Sequence, residues 1–221
     1  MLTNYLAQNI EQLANKVSED GFCVMDNFVS RANIYALANE MNTLKDTGRM
    51  QESRTGRVHN IINNQLRGDI IYWLDELNAS IPQQAYFKEM EVLRSSLNQH
   101  LYLGLFALES HLALYAKGTG YKKHIDRFKV NSKSHAINQP LRQISCILYL
   151  NQDWLVESGG QLRLYLNKAD GTQETSSIDG QSLDISPLGG RLVVFLSDTF
   201  YHEVLPATQD RMSLTGWFLT R

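Results

Sequence analysis

Six histidines are spread along the 221-residue chain, and His124 is the one with a carboxylate two residues on, in His124-Ile125-Asp126. On a strand, residues i and i+2 point to the same face. This imidazole and this carboxylate can therefore converge on one ion, although the pair alone reads equally well as a strand-end ion pair. What stands near the C-terminus adds weight. His202 lies in Phe200-Tyr201-His202-Glu203-Val204, after the apolar run Arg191 to Leu196, and Arg211 follows nine residues later. Two histidines and one carboxylate on one face suit a ferrous ion with coordination positions left open. A 2-oxo acid chelates such an ion through its keto and C1-carboxylate oxygens, and its far carboxylate then needs a buried cation. Arg211 suits that role, because guanidinium meets carboxylate in a two-pronged hydrogen bond. Its place in an apolar terminal run, Arg211 to Trp217, argues that its charge is met by something buried.

The elements that must position these residues divide into a helical front and a strand-rich back. Leu2, Leu6, Ile10, Leu13 and Val17 recur at helical steps until Gly21 breaks the pattern. Residues 21–28 read as a short strand ending in a turn. Ser30 is placed to cap a helix carrying Ile34, Leu37, Ala38, Met41 and Leu44. Residues 46–69 are polar and read as a long loop or loose hairpin, a length that is often functional. Residues 70–74 form a short apolar segment. A third helix is expected from about Gln83 to His100, with Phe87, Met90, Leu93, Leu97 and Leu101 on one side. After Gly104, apolar or alternating runs recur at 105–115, 144–150, 161–166, 191–196 and 213–219, separated by turn residues. That rhythm predicts an antiparallel sandwich or barrel, with the front helices covering one sheet. The sequence is read as a single α+β domain.

Composition narrows the function classes. Lys and Arg number 21 against 23 Asp and Glu, so the net charge is −2 and no global attraction to nucleic acid or an anionic membrane is expected. Hydrophobic residues at 43% and charged residues at 20% exclude a disordered or collagenous chain. Cys23 and Cys146 are too few for a disulfide framework and sit in apolar runs. No secretory signal is seen in residues 1–20, and the stretch Leu101 to Tyr115 is too short and too polar to span a bilayer. A cytoplasmic location is the expectation. Gly118-Thr119-Gly120 and Gly189-Gly190 are turn glycines outside any strand-turn-helix unit, which argues against phosphate binding. His59, His100, His111 and His135 have no partner at ligand spacing and are taken as structural or exposed. Lys117, Lys122, Lys123, Arg127, Lys129 and Lys133 form a basic run beside the candidate metal site, able to steer an acidic surface or a 2-oxo acid.

A longer string of residues carries a family resemblance. It runs Tyr115, then Tyr121-Lys122-Lys123-His124-Ile125-Asp126, then Ile144 to Trp154 with Tyr149 inside it. Gly159-Gly160-Gln161-Leu162-Arg163, Gly190 to Phe195, His202-Glu203-Val204 and Arg211 to Trp217 follow. Gly21 to Asp26 and Arg67-Gly68-Asp69 to Trp73 extend it into the front half. In order and spacing this string resembles the 2-oxoglutarate- and Fe(II)-dependent prolyl hydroxylases, the hypoxia-inducible-factor type and its bacterial relatives in particular.

The resemblance implies a double-stranded β-helix (jelly-roll, cupin-like) core with N-terminal helices packed on one sheet. It implies one domain over 1–221, with 1–103 as helical support and finger loop and 104–221 as the catalytic core. His124, Asp126 and His202 would bind iron, and Arg211 would pair with the 5-carboxylate of 2-oxoglutarate. Tyr149, Tyr115, Thr215, Ile147, Leu162 and Val204 match cosubstrate-pocket positions. Trp217, Tyr121 and Arg142 match positions beside the target residue. The implied reaction hydroxylates a prolyl residue of a protein or peptide with O2, giving succinate and CO2, with ascorbate as reductant and oxygen sensing as one use. Two departures bear on the substrate. The stretch Arg127 to Leu141 is longer than in the animal enzymes, and the finger loop shares little with theirs beyond Arg67-Gly68-Asp69. Alternatives are a non-catalytic jelly-roll binding module and an oxygenase of another amino acid or of nucleic acid. The last is disfavoured because Trp217 stands where a second arginine would be required. The sequence carries no signal for oligomeric state.

Overall fold

The computed structural model describes residues 2–53, 66–127, 140–166 and 181–221. In chain order the elements are α1 (Leu2–Asp20), β1 (Phe22–Met25), α2 (Arg31–Asp46), β2 (Gln51–Glu52), β3 (Asp69–Trp73) and α3 (Ile81–Leu101). There follow β4 (Ala107–Tyr115), β5 (Tyr121–His124), β6 (Leu141–Tyr149), β7 (Leu162–Tyr165) and β8 (Ser182–Ile185). The chain closes with β9 (Leu192–Leu196), β10 (His202–Val204) and β11 (Arg211–Thr220). The large sheet has the order β1-β9-β6-β11-β4-β3-β2 and the small sheet β5-β10-β7-β8. Every described strand pair is antiparallel, and the architecture is the α+β double-stranded β-helix with helices on one sheet.

The large sheet works by its period of two. Leu112, Leu114, Ile144, Cys146, Leu148, Leu192, Val194, Leu214 and Phe218 point outward and are buried under the helices. Ile10, Leu13, Ala14 and Val17 of α1, Ile34 to Leu44 of α2, and Tyr86, Met90, Leu93 and Leu97 of α3 complete that core. Each fully buried Leu or Phe there contributes about 1.5–3 kcal/mol. Ser30 caps α2, its Oγ accepting from the Asn33 N–H at 3.2 Å. Ser80 caps α3, which starts at Ile81 rather than near Gln83, because Pro82 fits the first turn without needing an N–H. Gly216 lets α3 approach: a Cβ there would lie 2.5 Å from Ser110 Oγ, which itself sits 3.1 Å from the Tyr86 hydroxyl.

The opposite face of the large sheet looks toward the small sheet. Tyr115, Ala113, Ile147, Tyr149, Val193 and Phe195 meet Leu162, Leu164, Ile185 and Val204 in a second, smaller core. The site lies at one end of this inter-sheet space.

Three points differ from the sequence reading. The short strand read at 21–28 and the apolar segment at 70–74 join the catalytic sheet rather than only supporting it, β1 pairing with β9 and β3 with β4, so the edges of the large sheet come from residues before 103. Strands β5, β8 and β10 are only three or four residues long, too short for an apolar rhythm to mark them. Asp126 is not on the strand with His124: β5 ends at His124 and Asp126 lies in a bend beyond it. Half of the loop 46–69, at 54–65, and most of the long stretch Arg127 to Leu141, at 128–139, fall outside the described residues.

Candidate active site

His124 closes β5 and His202 opens β10, and the antiparallel pairing of those strands sets the two residues directly opposite each other. Their rings lie 4.2 Å apart between centroids. Each ring is fixed by its own backbone. His124 Nδ1 sits 2.8 Å from the Lys122 carbonyl and His202 Nδ1 3.2 Å from the Phe200 carbonyl. A carbonyl only accepts, so both Nδ1 atoms carry the proton and both Nε2 lone pairs are free. Those Nε2 atoms face Asp126, with His124 Nε2 3.7 Å from Oδ1 and His202 Nε2 3.7 Å from Oδ2. Tyr121 stacks on His124 at 3.6 Å, and Phe195 meets His202 edge-on.

Asp126 is held although it has left the strand. Its Oδ2 accepts from Ser145 Oγ at 2.6 Å and from the Trp217 indole N–H at 2.8 Å. Burial opposes its charge, but His202, His124 and these hydrogen bonds outweigh that, so its pKa lies below the ordinary carboxylate value. Burial, then the neighbouring His202, push His124 down to about 3. A neutral imidazole is the form that ligates a metal.

At the floor of the cavity Arg211 begins β11, with 1% of its surface exposed. Its Nε donates to the Gly160 carbonyl at 2.9 Å, and its guanidinium lies 5.2 Å from the Tyr115 ring centre and 4.9 Å from that of Tyr149. Gly160 adopts φ +71°, open to glycine, and a Cβ there would press on Ala207, Trp154 and Arg211. Arg211 Nη2 and the Tyr149 hydroxyl are buried without a partner. Three arginines line the cavity, Arg67, Arg142 and Arg211. Arg67 is paired with Asp69 at 2.6 Å and Arg142 with Glu109 at 2.6 Å. Arg211 has no carboxylate partner among the described residues.

These facts fit the groups that the ligand set calls for. Among the described residues, His124, Asp126 and His202 offer ligand atoms all within 4.8 Å of one another. The 3.7 Å separation of His124 Nε2 from Asp126 Oδ1 can be bridged by one ion at about 2.0–2.2 Å from each. A carboxylate placed against Arg211 Nη2 gives that orphaned donor a charged acceptor, and the orphaned Tyr149 hydroxyl belongs to the ring beside it.

The profile of the 2OG-Fe(II) oxygenase superfamily matches residues 110–219, the span that contains this geometry. A solved prolyl-4-hydroxylase from Pseudomonas putida is 34% identical, with a TM-score of 0.80, covering 96% of this chain and 99% of that one. The chain belongs to the 2-oxoglutarate- and Fe(II)-dependent oxygenase superfamily. A Trichoplax adhaerens prolyl hydroxylase, solved with a hypoxia-inducible-factor peptide, is 26% identical at a TM-score of 0.82 over 98% of this chain and 91% of that one. Egl nine homolog 1 of Rattus norvegicus is 28% identical over 95% of this chain and 58% of its own length. The chain spans about half the length of the curated relatives it matches.

In this oxygenase the candidate site residues named from the sequence line the cavity, apart from Tyr149, whose ring packs beside the Arg211 guanidinium. Tyr115, Ile147, Leu162, Val204 and Thr215 line it together with Arg211 and the three candidate ligands. Trp217, Tyr121 and Arg142 line the same cavity. The Arg142 guanidinium lies flat on Trp217, 3.5 Å from the ring centre. Within the basic run, Lys123 is folded over Tyr165 and Tyr201, while Lys129 and Lys133 lie outside the described residues.

Three wall residues were missed. Ser213 lies between Arg211 and Thr215 in the same alternation, and that period alone places it. His111 follows from Tyr115 and Ala113 in the same way. Its ring is wedged between Trp73 at 4.8 Å and Trp217 at 5.4 Å, and burial, then Arg67, hold its pKa down to about 3. Arg67 Nη2 lies 3.4 Å from His111 Nε2, and a guanidinium only donates, so the His111 proton is on Nδ1, which is buried without a partner. Arg67 was named only within the motif Arg67-Gly68-Asp69 and not as a wall residue. It is placed by its two-pronged pair with Asp69, which Ser53 also holds at 2.6 Å.

Proposed function

We propose that this oxygenase hydroxylates a prolyl residue of a cytoplasmic protein, with Fe(II) as cofactor and 2-oxoglutarate and O2 as cosubstrates. Succinate and CO2 are the coproducts, and ascorbate is the supporting reductant. One observation carries the reading: a single cavity holds both a two-histidine, one-aspartate ligand set and a buried guanidinium lacking a carboxylate. Iron with bound 2-oxoglutarate supplies the oxidising power needed at an unactivated C–H bond.

The rest of the chemistry is positional. His124 and His202 keep their Nδ1 protons on backbone carbonyls and offer Nε2 to the metal, and Asp126 offers Oδ1. Arg211 and the Tyr149 hydroxyl receive the far carboxylate of 2-oxoglutarate. Tyr115, Thr215, Ile147, Leu162 and Val204 wall that acid off from water, which strengthens the ion pair. Trp217, Tyr121 and Arg142 shape the mouth where the target residue rests. Beside them Trp73, 49% exposed, extends the aromatic surface toward an approaching peptide. The Trichoplax relative's peptide complex and the Pseudomonas prolyl-4-hydroxylase support a peptide-borne proline as substrate.

Residues 1–221 are read as one domain, because β1 and β3 are hydrogen-bonded into the sheet that carries the site. Two unbridged cysteines, and described helices none of which is long and apolar enough to cross a membrane, support the cytoplasmic reading.

The test is mass spectrometry of proteins from cells that carry the chain, lack it, or carry Asp126→Ala. One added oxygen on proline, present with the parent alone, is the expected result. Identical proline oxidation in all three overturns the reading. A non-catalytic binding module would instead keep its cellular effect in His124→Ala. Measuring the KM for O2 separates an oxygen sensor from a constitutive modifier.

A further inference from the structure

We propose that Ser145 and Ser197 form a one-way hydroxyl chain that positions Asp126 to bind metal through Oδ1. The inference rests on the assignment of Asp126 as a metal ligand. The starting point is that β5 has ended before Asp126, so no strand pairing fixes this residue. Something else must hold a carboxylate that leaves its sheet, and the structure shows what does.

Ser145 is wholly buried on β6, beside Trp217 of β11 on one side and Phe195 of β9 on the other. Its Oγ lies 2.6 Å from Asp126 Oδ2 and 2.9 Å from Ser197 Oγ. A carboxylate only accepts, so the single Ser145 proton goes to Asp126. Ser145 must therefore accept from Ser197, and the direction Ser197→Ser145→Asp126 is fixed by proton counting. Each link polarises the next.

Ser197 is itself anchored at both ends of its peptide unit. Its N–H donates to the Gln143 carbonyl at 3.1 Å, and its carbonyl accepts from the Arg127 N–H at 3.1 Å. Arg127 follows Asp126 directly, and its guanidinium holds Gln143 at 2.8 Å and pairs with Asp198. Ser197 thus clasps the segment that carries the ligand and also feeds the hydroxyl chain. Ser145 and Trp217 together occupy Oδ2 with two donors. Oδ1 is left with its lone pairs free, facing His124 Nε2. Ser145 and Ser197 are positioning residues: neither lines the cavity.

Co(II) titration of the metal-free chain, with the cobalt visible spectrum as second readout, tests this. Loss of such outer partners typically weakens metal binding by about 10–100-fold, and that is the expectation for Ser145→Ala. Ser197→Ala, acting through one more link, should weaken it by about 2–5-fold. The double variant should match Ser145→Ala, since the chain is already cut. Thermal melts of the metal-free variants should stay close to the parent. Should Ser145→Ala fail to fold, the Ser197→Ala shift still decides the matter. Parent-like affinity and spectrum in Ser145→Ala, with binding lost in Asp126→Ala, overturn the hydroxyl chain alone. Independent, additive losses in the two serine variants overturn its direction. Parent-like Co(II) binding in Asp126→Ala overturns the ligand assignment and the chain with it.

Discussion

At the metal corner, the ligand atoms that do not face the shared point all have protein partners. The Nδ1 protons of His124 and His202 go to carbonyls, and Asp126 Oδ2 takes two donors. At the floor the pattern is reversed. Arg211 Nη2 and the Tyr149 hydroxyl are buried and bare, and the third such atom among the described residues, His111 Nδ1, lies in the wall of the same cavity. Buried polar groups without partners destabilise a fold by about 1–3 kcal/mol each, more for a charge. The corner thus has its outer partners from the protein itself, whereas the floor holds donors that a ligand's carboxylate would satisfy. The two halves of the site should respond to mutation in opposite ways.

The sharpest contrast is at Arg211. Arg211→Met removes a buried charge that has no carboxylate partner among the described residues. Its thermal stability should equal or exceed the parent's, while KM for 2-oxoglutarate rises by about 100-fold or more. A large fall in stability would show that Arg211 is already satisfied and break the comparison. Next in size is the effect of the acid itself. 2-Oxoglutarate at about 100 times its Kd should stabilise even the metal-free chain by about 2.7 kcal/mol, read as a rise in Tm. Succinate, which keeps one carboxylate for Arg211, should stabilise it to a smaller degree.

His111 supplies a pH test. Its ordinary value of 6.5 is pushed down to about 3 in the fold. The unfolded chain takes up a proton below pH 6.5 that the folded chain refuses. The stability tied to neutral His111 is thus complete above pH 6.5 and is lost progressively as pH falls toward 3. At pH 5.5 the loss from this one group is about 1.4 kcal/mol. Urea melts of His111→Phe should fall less between pH 7.5 and 5.5 than those of the parent, by about that amount. The smallest expected effect is at Tyr149. Tyr149→Phe should leave metal-free stability unchanged or slightly raised and weaken 2-oxoglutarate binding by about 1 kcal/mol, roughly fivefold, in calorimetry.

The comparison also explains what could be read in advance. At the floor, Arg211 was legible from its place in an apolar run and Thr215 and Trp217 through the family resemblance; a strand's period of two puts all three on one face, and Ser213 could have been added on that ground. The helices were legible from Ile34 to Leu44 and from Met90 to Leu97, where the apolar step matches the turn of the helix. The metal corner was legible in its residue types but not in its construction. His124 and Asp126 were expected on one strand, yet Asp126 is held by Ser145, Trp217 and the Ser197 clasp. Such contacts cross 19, 91 and 70 positions of chain and leave no local period. Arg67 was invisible as a wall residue for a different reason: its ion pair with Asp69 is local and gives no hint of what it borders.

The central claim is that His124, Asp126 and His202 hold Fe(II) while Arg211 holds the acid bound to it. Anaerobic titration with Fe(II) and 2-oxoglutarate, followed by the visible charge-transfer absorption of the chelate, tests it most directly. The parent should develop the absorption at one iron per chain, His202→Ala should not develop it, and Arg211→Met should need far more acid. Absorption of equal strength and affinity in His202→Ala, or none in the parent, would contradict it.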